Sequence, residues 1–188
     1  AWDDVHGGLL RMEDVRKGRQ EEVNYMLGRN IWSEVSIREC WEKTGKGPVS
    51  VKWVDTDKGT PEEPLIRCRL VARDFKGGDK GRDDLFADTP PLEAKRMLLS
   101  RAATKGKRGW RKLMFIDVKK AHLNPRCEED VYIELPSECG EDRTKGGKLN
   151  YWLYGFRPAA SACEDHYSQR LIEECFSRGL TCSVVLHH

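Results

Sequence analysis

Lys112 to Arg126 reads KLMFIDVKKAHLNPR, and the rest of the chain is organised around it. Leu113 to Ile116 is an uninterrupted apolar run of strand-forming type, the pattern of a strand buried on both faces. Asp117 follows at once. A carboxylate at the exit of a buried strand is costly unless it is hydrogen-bonded, paired or bound to a cation. Its candidate partners are a metal ion or the adjacent Lys119 and Lys120, so a strand-end aspartate in a local ion pair is the plain alternative to a metal ligand.

Working outward, the charge around this stretch is uneven. The chain of 188 residues carries 33 Lys+Arg against 31 Asp+Glu, a net charge of +2 that by itself says little. Ser100 to Lys120 nevertheless holds eight basic residues and one acidic, whereas Ala121 to Asp142 holds seven acidic and one basic. A basic band running into Asp117 suits a polyanion, nucleic acid being the commonest; a solvated charged face is the alternative.

On the N-terminal side, Ala1 to Leu10 has no clear period and reads as a frayed lead-in. Met12 to Leu27 has helical spacing with Gly28 as a stop, and Ile31 to Cys40 is ambiguous, anchored by Trp32 and Val35. After the break at Gly45 to Pro48, Val49 to Val54 alternates as a half-buried strand, and Leu65 to Phe75 alternates again. Ile66, Cys68, Leu70 and Ala72 share one face of that second strand; Arg67, Arg69 and Arg73 share the other, with Val71 between them. Guanidiniums in a row repel one another unless an anion lies over them, and they suit phosphate oxygens. A solvated hairpin with Glu62 and Glu63 nearby is the alternative.

Lys76 to Asp84 reads as a polar loop, and Thr89 to Pro91 starts a helix over Leu92 to Thr104. On the C-terminal side, Val131 to Leu135 reads as a short strand pairing with the Asp117 strand, and Glu138 to Lys148 as a polar loop. Leu149 to Tyr154 is strand or turn, and a helix runs from about Ala159 to Arg178 with Gly179 as its stop. Helices and hairpins without βαβ alternation predict an α+β fold. Seven scattered cysteines without a CxxC pair predict reduced thiols in an intracellular protein. Cys163, His166, Cys175, Cys182 and His187 match no standard zinc spacing. No apolar run approaches the roughly 20 residues of a membrane span, so the chain is expected to be soluble, in the cytoplasm or nucleus.

Five blocks in order resemble the reverse transcriptase domain of Ty1/copia-type retrotransposons. Lys52-Trp53-Val54 with Lys58-Gly59 is similar to the family's KWV-to-K-G opening, and IRCRLVARDF (66–75) to its YKARLVAKGF. DDLFADTPPLEAKRMLLS (83–100) resembles the block around ETFAPV and the helix after it. Trp110 followed by FIDVKKAHLNPRCEEDVYIELP (115–136) matches W, then DVKTAFLNG and EEVYM, and LNYWLYGFRPAASACEDHY (149–167) resembles KLxxALYGLKQAPRAWY. The resemblance runs from about Arg11 to the end of the chain.

It implies a right-hand polymerase with fingers at about 45–110 and palm elements at about 111–188, catalysing RNA-directed DNA synthesis from deoxynucleoside triphosphates on a primed RNA or DNA template. It makes Asp117 the catalytic, first metal-binding carboxylate for two Mg2+ ions, with the Val118 carbonyl as a further hard ligand. Arg67, Arg69 and Arg73 become the fingers strand over the triphosphate, and His122 takes the place of an aromatic residue that packs on the nucleotide sugar. Arg157 and Pro158 fall in the block that shapes the pocket from the other side, where the family has Lys and Gln; Cys163 replaces its Trp. The Tyr-x-Asp-Asp block is expected beyond His188, since the pairs Asp3-Asp4 and Asp83-Asp84 lie upstream of Asp117. One rival is a nucleic-acid-binding remnant without catalysis. Another is an unrelated metal-dependent phosphohydrolase using Asp117 with Asp55 or Asp57.

Overall fold

The computed structural model describes residues 1–60, 62–74, 91–107, 109–110, 112–113, 117–179 and 185–187. Helix α1 (Met12–Gly28) starts with Glu13 and Asp14 in its first turn, where carboxylates favour the positive end of the helix dipole. It buries Val15, Val23 and Met26, as the spacing predicts, together with Glu22, while Met12 and Leu27 of the same predicted stripe are exposed; Arg29 rather than Gly28 is its cap. The ambiguous segment after it splits in two. Strand β1 (Trp32–Ser36) runs directly into helix α2 (Ile37–Thr44), because the Ser36 hydroxyl accepts the free Arg38 N–H and caps the new helix. Gly45, at φ +66°, ends it.

Strands β2 (Val51–Asp57) and β3 (Ile66–Ala72) form an antiparallel ribbon, in register from Val51 opposite Ala72 to Asp57 opposite Ile66. The Asp57 carboxylate accepts the Gly59 and Leu65 N–H groups and so closes the turn. A second sheet has the order β1-β5-β4, with β4 at Tyr132–Glu134 and β5 at Lys145–Leu149. Its core joins Ile31, Trp32, Ile133, Leu149, Trp152 and Leu153 to Met26 of α1 and Leu70 of β3.

Several expectations are corrected here. The loop expected over Glu138 to Lys148 contains β5, whose Gly146 and Gly147 gave no side-chain alternation to read. A Cβ on Gly147 would come within 3.0–3.1 Å of Trp32, Ile133 and Leu135, so the centre of this sheet is packed too closely for a side chain. Strand β4 was expected to pair with the Asp117 segment. It pairs instead with β5, and its other edge is taken by Val49, which exchanges backbone hydrogen bonds with Tyr132 and Glu134. Residues 114–116 of the expected Asp117 strand lie outside the described residues; Leu113, Asp117 and Val118 beside them are exposed and not in a strand.

Residues 1–10, expected to be frayed, dock on β2. Asp4 exchanges hydrogen bonds with the Asp55 backbone, and the Asp3 carboxylate accepts from the Val5, His6 and Asp57 N–H groups and the Thr56 hydroxyl. Helix α3 (Leu92–Ala103) forms where expected but has no buried residue. The loop at 76–84 and the Thr89-Pro90 start lie outside the described residues. Helix α4 (Ala159–Glu173) ends five residues early: Cys175 takes φ +65°, Phe176 bonds back to Leu171, and Ser177–Arg178 (β6) pairs with Leu186–His187 (β7). The six described cysteines are free, and no group of three metal-ligating side chains occurs among the described residues; Cys182 lies outside them. No described helix is long and apolar enough to cross a membrane.

Candidate functional site

The site is built on the alternation of β3. Cys68, Leu70 and Ala72 point into the core, so Arg67, Arg69 and Val71 must take the other face. At the end of this strand the chain from Trp152 to Pro158 docks. The Ala72 N–H donates to the Tyr154 carbonyl at 2.7 Å, and the Arg157 N–H donates to the Asp74 carboxylate at 3.2 Å. The approach depends on Gly155. Its φ is +90°, and a Cβ there would lie 2.2 Å from the Ala72 oxygen and 2.6 Å from Val71 Cγ1.

This docking sets the Tyr154 ring beneath β3. The Arg69 guanidinium lies over it at 6.0 Å, within cation–π reach. His122 meets the ring edge-on, with centroids 5.2 Å apart and planes at 66°. Burial pushes the Tyr154 hydroxyl pKa up and Glu22 adds to the rise, while Arg69 and Arg67 oppose it. His122 belongs to a 3₁₀ turn, Ala121–Leu123, pinned by the fully buried Leu123. Its Nδ1 is buried with no hydrogen-bond partner. Lys120, which opens the turn at φ +52°, donates to the Glu22 carboxylate of α1 and stands 3.6 Å over the Tyr25 ring.

The structure therefore gathers Arg69 and His122 around Tyr154, with Arg67 close enough to act on the phenol electrostatically. Arg73, Arg157 and Pro158 fall elsewhere. Arg73 and Asp74 line an open recess of about 430 Å³ with Lys52 and Gly155. Arg157 and Pro158 line an adjoining cavity of about 210 Å³ with Trp152 and Phe156, and Asp74 lines both. Asp117 is exposed, five residues before His122, and belongs to no metal-ligating group among the described residues. Asp55 is committed to Arg19 at 2.6 Å and Asp57 to its turn. Tyr154, Glu22, Tyr25 and Lys120 were missed as site residues. The Tyr154-Gly155 pair was the available signal, since glycine is what lets a backbone approach closely.

Comparison with known proteins matches residues 32–186 to the family described as reverse transcriptase (RNA-dependent DNA polymerase). A retrovirus-related Pol polyprotein from transposon TNT 1-94 of Nicotiana tabacum is 31% identical over 152 residues, covering 77% of this chain. The chain spans 11% of the length of that polyprotein. No solved structure matches the chain.

Proposed function

Because the chain belongs to the reverse transcriptase family, we propose that it supplies the fingers (about 45–110) and part of the palm (about 111–188) of a right-hand polymerase of the copia type. Its parent polyprotein would then carry out RNA-directed DNA synthesis. The observation that supports this is the convergence of Arg69, Tyr154 and His122, from three distant stretches, next to the segment that holds Asp117. A guanidinium face above an aromatic floor offers phosphate oxygens a charged partner and a flat ring a surface to stack on.

In this reading Arg67 and Arg69 bind the triphosphate, Arg73 offers a further cation in the recess beside Lys52 and Gly155, and His122 limits the space at the sugar. Arg157 and Pro158 act by seating the turn that carries Tyr154, because the Arg157 N–H is tied to Asp74. Magnesium supplies charge neutralisation at the reacting oxygens when bound. Asp117 and the Val118 carbonyl are the ligands this chain offers, and the described residues do not complete a two-ion site. No catalytic step is therefore assigned to them alone. The second reading is a nucleic-acid-binding remnant, which would need only the arginine face of β3 and the basic run from Ser100 to Lys120. A phosphohydrolase using Asp55 or Asp57 has no support, since both carboxylates are engaged elsewhere.

The test uses the 188-residue chain on a primed RNA template, with magnesium and then manganese. Binding to primer–template is expected to fall steeply between two salt concentrations, as counterion release requires, and no nucleotide addition is expected. Salt-insensitive binding, or none, would remove the nucleic-acid reading. Addition that Asp117→Asn abolishes would show a complete metal site within these residues.

A further inference from the structure

Helix α1 precedes the region matched to the family, yet one of its faces reaches both halves of the site. At Gly18 the helix presses against β3, where a Cβ would lie 2.9 Å from Cys68 Sγ. The next residue, Arg19, pairs with Asp55 of β2 at 2.6 Å and lies over the Trp53 ring at 5.4 Å. One turn later Glu22 accepts from Lys120 Nζ, and three residues on Tyr25 places its ring 3.6 Å from the same ammonium. The pair is nearly dry, with side chains 9% exposed at Glu22 and 19% at Lys120.

Lys120 stands three residues after Asp117 and two before His122, and its backbone holds the left-handed φ of +52° that side-chain-bearing residues seldom adopt. Such a conformation persists where surrounding contacts determine it. Here the contacts are the carboxylate and the ring from α1. We propose that Glu22 and Tyr25 are positioning residues. They grip Lys120 and thereby set the Asp117–His122 segment against the Arg69–Tyr154 face. This rests on the polymerase reading for its consequence, but the grip on Lys120 is a property of the chain itself.

Two arms test it. In the 188-residue chain, the His122 ring resonances, shifted by the neighbouring Tyr154 ring, should move in Glu22→Gln, while those of His6, which sits beside Asp3, stay in place. Unmoved His122 signals would overturn the proposal. If Glu22→Gln does not fold, Tyr25→Leu leaves the ion pair intact and withdraws only the ring, with the same expectation. In a polymerase containing this segment, Glu22→Gln should lower kcat about ten- to a hundredfold at unchanged primer–template affinity, since a displacement of about an ångström at a reacting site can cost about a hundredfold. Lys120→Arg, which keeps charge and ring contact, should retain the rate. The double variant Glu22→Gln/Lys120→Met removes the uncompensated charge and should recover thermal stability without recovering kcat. If kcat returned with stability, the pair would be structural only and the proposal would fail. Were the unaltered polymerase inactive while the His122 signals moved as expected, the proposed function would fail and the positioning would stand.

Discussion

Replacing Gly155 with Ala separates two costs that the structure allows to be worked out. The first is conformational: an alanine at φ +90° gives up about 1–2 kcal/mol relative to glycine. The second is contact. A methyl 2.2 Å from the Ala72 oxygen and 2.6 Å from Val71 Cγ1 must push β3 away from the Trp152–Pro158 segment. Overpacking of this kind costs about 1–3 kcal/mol. Lengthening the 2.7 Å bond from the Ala72 N–H to the Tyr154 carbonyl adds about 1 kcal/mol. The total is about 4 kcal/mol, a large part of the roughly 5–15 kcal/mol that holds a domain folded. For a chain of this size it corresponds to a fall in Tm of about 10 °C. Gly45→Ala is the reference, because Gly45 has a left-handed φ of +66° and nothing within 4 Å of its would-be Cβ. It should lose the conformational part alone, about 1–2 kcal/mol. Urea titrations of both variants against the parent chain measure the difference. Equal losses would refute the argument that close approach to β3 is what requires glycine.

The remaining predictions concern pH and the nucleotide face. The hydrogen bonds to Asp3, first those from the His6 and Asp57 N–H groups, hold its carboxyl far below the ordinary carboxylate range. A depressed folded-state value stabilises at neutral pH, and that contribution disappears as pH falls below about 4, so Asp3→Asn should flatten the acid limb of a stability–pH curve. An acid limb identical in both chains would exclude Asp3 as its source. Arg69→Ala, in a polymerase containing this segment, should raise the nucleotide KM well above any change in primer–template affinity, and equal losses in both would place Arg69 on the nucleic-acid backbone. His122→Gly should increase ribonucleotide incorporation, because exclusion at the sugar is steric; unchanged discrimination with activity retained would assign His122 to structure.

Much of the scaffold was legible because side chains with opposite preferences alternate. Cys68, Leu70 and Ala72 against Arg67 and Arg69 defined β3 and its two faces, and Val15, Val23 and Met26 defined the buried stripe of α1. Strand β5 was not legible, since Gly146 and Gly147 have no side chains to alternate; the Ile133 carbonyl crowds the first and the Trp32 ring the second. The end of α4 was missed because a left-handed cysteine, rather than the glycine at 179, terminates it. At the site, the arginine face followed from local pattern. The Tyr154 floor and the Glu22–Lys120 pair did not, because contacts between stretches far apart in sequence, 98 residues for Glu22 and Lys120, leave no periodic trace.

The burial of the cysteines has a chemical consequence. The thiolate is the reactive form, and a thiol with a pKa near 8.5 is a few per cent ionised at neutral pH. Burial pushes Cys68 up to about 12, aided by Asp55, and Cys127 and Cys139 up to about 11 each. Their ionised fractions fall far below that of an ordinary thiol, which suppresses alkylation and oxidation alike. Cys175 differs: it is exposed on the left-handed residue that follows α4. Among the described thiols it is the natural attachment point for a spectroscopic label, close enough to β6 to report on the end of the chain while leaving the Tyr154 cluster untouched.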